Sequence, residues 1–270
     1  MTPATPGLFA PPFITSTLQQ EAARKLRFTP QRTMIVAQQL YEGLPVGEGS
    51  PVGLITYMRT DSTNVAQSAV EEARSYISDT YGKDYLPNKP RVYRSRSKGA
   101  QEAHEAVRPT SIRRTPQSLK AHLTSEQLRL YTLVWERMLA SQMADARSEA
   151  TTVEIEAACQ GSGQLYLFRA TGSVLKFPGF RTLYLESRDD DEEDRGRQLL
   201  PEMAKADALV CETLEALQHF TQPPPRYTEA TLIKAMEEKG IGRPSTYAPT
   251  IATILSRNYV EKLQNRLTPT

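Results

Sequence analysis

The sequence predicts a mixed α/β, multidomain protein whose larger part is helical and winged-helix-like and whose middle is β-rich. Three observations predict it. Apolar residues recur at helical spacing, between recognisable caps, through the first half of the chain. After residue 150 the pattern changes to strand-like alternation. A proline run, Gln222-Pro223-Pro224-Pro225, then precedes two further capped helical patterns. The expected boundaries are a linker over 1–12, a helical domain over 13–142, a β-rich segment over 143–217 and the start of a further domain over 218–270.

Residues 1–12 carry four prolines, the composition of a linker. Thr15 or Ser16 can cap a first helix reaching Leu26. Thr29-Pro30 opens a second, because proline suits the first helical position, and Gly43 closes it. The segment GLITYMR, 53–59, reads as a strand, so that two helices and a strand resemble a winged-helix arrangement. A third helix is expected from a cap at Ser62 to Asn64, through Val65, Val70, Ala73 and Ile77, to Gly82. Thr124 and Gln127 form a capping box before an amphipathic helix bearing Leu128, Tyr131, Val134, Trp135 and Leu139. Val153, Ile155 and Ala157 alternate along a strand, Gly161-Ser162-Gly163 turns it, and Leu165–Phe168 returns. Residues 199–217 read as further β structure. Thr228 caps a helix ending at Gly240, and Ser245 or Thr246 caps one reaching Arg257. Tyr259-Val260 begins a wing strand that is expected to be cut short at Thr270.

Bulk properties exclude little. Thirty-three basic against 31 acidic residues leave a net charge of +2, so binding to a polyanion requires segregated charge. The sequence shows such segregation in RVYRSRSK, 91–98, and in DDDEED, 189–194, the latter read as a solvated loop. Arg94, Arg96 and Lys98 either track a DNA backbone or sit in a solvated loop. Two cysteines, Cys159 and Cys211, without metal-ligand spacing, favour a reducing compartment. No apolar run approaches the ~18 residues of a membrane span. Together with an N-terminus unlike a signal peptide, this makes a cytoplasmic protein the expectation. No phosphate-binding loop of the GxxxxGK[ST] type is present, which suits an ATP-independent reaction.

The chemistry-bearing segment is Leu54–Ser62. On a strand, Tyr57 and Arg59 project to one face. A phenol is a poor nucleophile at its free pKa of about 10. A guanidinium beside it favours the phenolate and binds a phosphate bidentately, so the pair suits attack on a phosphodiester. The plainer reading is a packed strand aromatic beside a surface charge.

Four segments in order, PPFITSTLQQEAARKL, GLITYMRTDST, QEAHEAVRPT and RYTEATLIKAMEEKGIGRPSTYAPTIATI, resemble the signature segments of bacterial type IA DNA topoisomerases. The resemblance implies a type IA topoisomerase core, with 13–142 as the tyrosine-bearing domain, 143–217 as part of the arch and 218–270 as the start of the single-strand-binding domain. It implies Tyr57 as the nucleophile that takes the 5′-phosphate, Arg59 as the residue positioning that phosphate, and His104 as an active-site histidine. It also places Gln38, Thr228 and Arg243 on segments lining single-stranded DNA. Ser245 and Thr246 follow at a helix start, whose free N–H groups favour phosphate. Plainer roles compete: Gln38 facing solvent, Thr228 as a simple N-cap, Arg243 in a salt bridge. The family binds Mg²⁺ through an acidic TOPRIM domain preceding the first matched segment. That domain and the family's C-terminal region have no counterpart here, so no metal is expected on this chain and relaxation by it alone is not expected. A monomer is expected. The competing class is a non-catalytic single-stranded nucleic-acid-binding module in which aromatic rings stack on bases.

Overall fold

The computed structural model describes residues 9–47, 49–93, 104–158, 161, 163–185, 200–201 and 203–270. The described residues fall into two compact units. One lies within Gly7–Ala146, Pro178–Asp191 and Arg226–Thr270, the other within Arg147–Phe177 and Glu192–Pro225.

The larger unit is built on α1 (Thr15–Glu21), α2 (Pro30–Glu42), α3 (Gln67–Tyr81), the short α4 (Pro116–Leu119) and α5 (Ser125–Gln142). Helix α5 is its centre. Leu130, Tyr131, Val134, Met138 and Leu139 are buried in one cluster with Val36, Ala37 and Leu40 of α2 and Ala73 and Ile77 of α3. Each such side chain contributes about 1.5–3 kcal/mol on leaving water. The Thr124–Gln127 capping box forms with both of its bonds. The Trp135 indole donates to the Ile112 carbonyl at 2.9 Å, so its one polar atom is satisfied in the core.

Helix α1 departs from the usual amphipathic pattern: Thr15, Ser16, Gln19, Gln20 and Glu21 are all buried. Glu21 accepts from the buried Tyr184 hydroxyl at 2.6 Å and from Arg24 at 3.2 Å. Burial holds the Tyr184 phenol far above its ordinary range. No side chain caps α1. Its N-cap is Ile14, and Thr15 turns inward instead, which corrects the expected cap. A π-turn over Ala22–Leu26 follows and ends at Arg27 in the left-handed region. Pro30 opens α2 as expected, the Thr29 hydroxyl caps it by accepting the Arg32 N–H at 3.1 Å, and Gly43 closes it at φ 114°.

Several expectations need correction. Phe9 is buried in the main core, and Arg137 donates to the Pro11 carbonyl at 2.8 Å, so the end of the proline-rich stretch packs instead of linking. Helix α3 starts at Gln67, later than the Ser62–Asn64 cap, because the Glu105 carboxylate takes the Ala66 N–H at 2.6 Å. Residues 53–59 form only an isolated bridge, Ile55 to Pro109, with a bend at Met58, so the strand expected after α2 is absent. The expected β structure over 199–217 is absent from its described residues; that backbone has no partner strand to take up its N–H and C=O groups.

In the smaller unit β1 (Arg147–Ala158) pairs antiparallel with β2 (Leu165–Phe177), with Val153 opposite Ala170 and Ile155 opposite Phe168. The return strand therefore runs nine residues beyond the expected Phe168.

The C-terminal part of the larger unit is α6 (Glu229–Glu238), α7 (Tyr247–Ser256), β3 (Val260–Leu263) and β4 (Arg266–Pro269). Ile233, Met236, Tyr247 and Ile251 make its own small core, and α6 packs against α1. The wing is not cut short. Gln264 and Asn265, at φ 46° and 66°, make a tight turn that closes the β3–β4 hairpin.

Candidate nucleic-acid site

The site is assembled around a segment held from two sides. On one side lies the start of α1. The Thr15 N–H donates to the Thr60 carbonyl at 2.9 Å. The Thr15 hydroxyl reaches the Met58 carbonyl at 2.7 Å and accepts the Thr60 N–H at 2.8 Å. On the other side lies the segment 104–110. Thr56 donates its N–H to the Arg108 carbonyl at 2.9 Å and its hydroxyl to the Ala106 carbonyl at 2.6 Å. Thr110 donates to the Leu54 carbonyl at 2.9 Å.

These bonds fix which side chains face inward. Met58 and Thr60 are buried, whereas Tyr57 is 45% exposed and Arg59 is exposed. Tyr57 and Arg59 are thus both exposed, while Met58 and Thr60 are buried, on a segment that forms no strand ladder. Neither the Tyr57 hydroxyl nor the Arg59 guanidinium has a hydrogen-bond or ion-pair partner among the described residues. His104 is half-buried, two residues from the Ala106 carbonyl that holds Thr56. The structure thus brings the histidine's segment alongside the tyrosine's.

Gln38, half-buried on α2, donates its amide to Glu42 at 2.5 Å. Thr228 caps α6: its hydroxyl accepts the Thr231 N–H at 3.1 Å. Arg243 and Ser245 are exposed in the α6–α7 turn. Thr246 occupies the N-cap position of α7, but its hydroxyl accepts the Arg243 N–H at 2.8 Å and turns back into the loop. The expected side-chain cap is therefore not made. Arg94, Arg96, Lys98 and the acidic run 189–194 lie outside the described residues.

Three groups that sequence reasoning passed over also meet here. Burial raises the Glu237 carboxyl on α6, with Glu238 and Asp61 adding to the effect and Ser16 opposing it. Burial raises the Tyr247 phenol too, with Glu237 and Asp61 on the raising side and Arg243 opposing. Asp61, four residues beyond Tyr57, therefore faces the α6–α7 elements that carry Arg243. The third group is Tyr41, in the last turn of α2, whose ring lies edge-on to that of Tyr57 with centroids 5.3 Å apart. Its signal in the sequence was only a tyrosine three residues after Gln38.

Among the described residues no group of three or more His, Cys, Asp or Glu side chains could hold a metal ion. No helix among them is long and apolar enough to cross a membrane.

The arrangement defines a class first: a mixed α/β core in which an exposed tyrosine and arginine flank a pinned backbone. Its fold is that of a topoisomerase I core. The full-length Topoisomerase I structure from Thermotoga maritima superimposes with a TM-score of 0.75 at 39% identity, over 97% of this chain and 41% of that one. DNA topoisomerase 1 of Xylella fastidiosa, in strains Temecula1 and 9a5c, is 53% identical over 264 residues, which is 97% of this chain and 32% of the relative. Residues 8–270 match the DNA topoisomerase family, to which this chain belongs. The chain spans about a third of the length of those curated relatives.

Proposed function

We propose that this chain is the tyrosine-bearing portion of a type IA DNA topoisomerase, which relaxes negatively supercoiled DNA by cutting and rejoining one strand without ATP. The observation that carries the reading is the outward pairing of Tyr57 and Arg59 on a segment whose alternate residues, Met58 and Thr60, are buried. The Tyr57 oxygen attacks a backbone phosphorus of single-stranded DNA. A 5′-phosphotyrosine bond forms as the bond from phosphorus to the 3′-oxygen breaks, and the 3′-oxygen leaves as a hydroxyl. Arg59 stabilises the charge that develops on the non-bridging oxygens. His104, on the neighbouring segment, hydrogen-bonds the phosphate or moves a proton. Reversal returns the phosphate to the 3′-hydroxyl, and the phosphotyrosine bond preserves the energy in between.

Gln38, Thr228, Arg243, Ser245 and Thr246 line the single strand in this reading. Arg243 and Ser245 are exposed in one turn, where a phosphate can reach both. In the whole enzyme a TOPRIM domain would hold Mg²⁺ and would supply charge stabilisation near the 3′-oxygen; this reading puts no metal on this chain. The protein acts as a cytoplasmic monomer.

The test mixes the chain, supplemented with a TOPRIM domain, with end-labelled single-stranded DNA, then denatures it. A labelled adduct that disappears in Tyr57→Phe is expected. Binding without any adduct would instead establish a non-catalytic module, in which the exposed Tyr41 and Tyr57 rings stack on bases. The chain alone is expected not to relax supercoiled DNA.

A further inference from the structure

We infer that Tyr41 is a positioning residue for Tyr57: its ring restricts the swing of the nucleophile's ring. The inference rests on the proposed role of Tyr57.

Three observations carry it. The two rings meet edge to face, with centroids 5.3 Å apart and an interplanar angle of 61°. In this arrangement the positive edge of one ring meets the negative face of the other. Both rings remain substantially exposed, Tyr41 at 40% and Tyr57 at 45%, so neither is simply core filling. An exposed aromatic is otherwise free to exchange rotamers on a ps–ns scale.

The backbones that carry the two rings are locked together. Leu54 donates its N–H to the Leu40 carbonyl at 2.7 Å, one residue from Tyr41 and three from Tyr57. Leu44 and Val52 exchange both N–H···O bonds at 3.0 Å, closing the loop between α2 and the Tyr57 segment. Gly53 permits this closeness: a Cβ there would stand 2.7 Å from the Tyr41 carbonyl oxygen. The end of α2 is thus seated against the nucleophile's segment at a distance only glycine allows. A contact between two otherwise mobile rings is held at both of its roots.

The physical consequence concerns rate more than affinity. Holding a nucleophile near its attack geometry lowers the entropic part of the barrier. An aromatic pair of this kind is worth enough to change a rate by about tenfold. Loss of the Tyr41 ring therefore slows adduct formation by about that factor, leaving DNA affinity within about twofold.

The experiment has two arms. In the first, the chain is made with ring-labelled tyrosine, and the Tyr57 signals are identified by their absence in Tyr57→Phe. Tyr41→Leu keeps apolar cover at the end of α2 but has no ring. It is expected to shift the Tyr57 ring signals and increase their mobility, with the melting curve confirming the fold. Tyr41→Phe is expected to retain the wild-type signals. In the second arm the same variants are assayed for single-strand binding and adduct rate with the TOPRIM domain supplied. Tyr41→Leu is expected to bind normally and form adduct about tenfold more slowly, and Tyr41→Phe to restore the rate. Unchanged Tyr57 signals in Tyr41→Leu, an unchanged adduct rate, or a loss confined to DNA affinity would each overturn the positioning role. If Tyr57→Phe still formed adduct, the proposed function would fail and this inference with it, whereas the first three results leave that function standing.

Discussion

Replacing Thr15 with valine removes one hydroxyl and keeps the shape, and it tests how the backbone carrying Tyr57 is held. The Thr15 side chain is fully buried and makes two bonds to the segment carrying Tyr57: it accepts the Thr60 N–H at 2.8 Å and reaches the Met58 carbonyl at 2.7 Å. Valine leaves a buried N–H without its partner, at about 1–3 kcal/mol, and a carbonyl without its bond, at about 1 kcal/mol. The sum is about 2–4 kcal/mol. For a domain of this size each kcal/mol lowers Tm by about 2–4 °C, so the melting of the larger unit should fall by about 10 °C. Thr15→Ser keeps the hydroxyl and should lose far less. Circular dichroism melts of the three proteins measure the difference. The adduct assay measures whether the Tyr57 segment has loosened, and Thr15→Val should lower adduct yield at temperatures where the fold persists. A valine variant that melts with the wild type would refute the reasoning, because the two bonds would then contribute nothing to holding the segment.

Two other perturbations act on neighbouring contacts. Gly53→Ala sets a methyl 2.7 Å from the Tyr41 carbonyl oxygen, so the α2 end or the Leu54 segment must give way. A cost of about 1–3 kcal/mol is expected, read as a lower Tm together with a change in the Tyr57 ring signals. Glu237 has a carboxyl raised above its ordinary value chiefly by burial. Its contribution to stability is therefore fully present below the unfolded value of about 4.3 and is lost as pH rises through the raised folded value. Glu237→Gln should flatten this decline, so its Tm advantage over the wild type should be larger at pH 7 than at pH 4; an equal offset at both would count against it.

What the sequence made legible was local chemistry. The Thr124–Gln127 box and the Thr228 cap each join residues three apart, and both formed. Tyr57 and Arg59 were legible as a pair because their spacing of two is set by extended backbone alone. The failures involve partners distant in sequence. Helix α3 starts late because Glu105 reaches Ala66 across 39 residues. Thr15 does not cap because its hydroxyl is taken by residues more than 40 positions away. Tyr41 could not be seen as a neighbour of Tyr57 from spacing, since their meeting depends on the Leu44–Val52 bridge and on the close approach at Gly53.

The same long-range bonds explain how the exposed Tyr57 and Arg59 are held on a segment that belongs to no sheet. A ladder would fix Tyr57 through its strand neighbours. Here Thr15 grips the backbone at Met58 and Thr60, while Ala106 and Arg108 grip Thr56. Because side chains alternate along extended backbone, a slip of one residue would turn Tyr57 toward the core and bring Met58 out. Hydrogen bonds from both sides oppose that slip without using the Tyr57 hydroxyl or the Arg59 guanidinium. Among the described residues neither group has a hydrogen-bond or ion-pair partner, and the register is held by other residues.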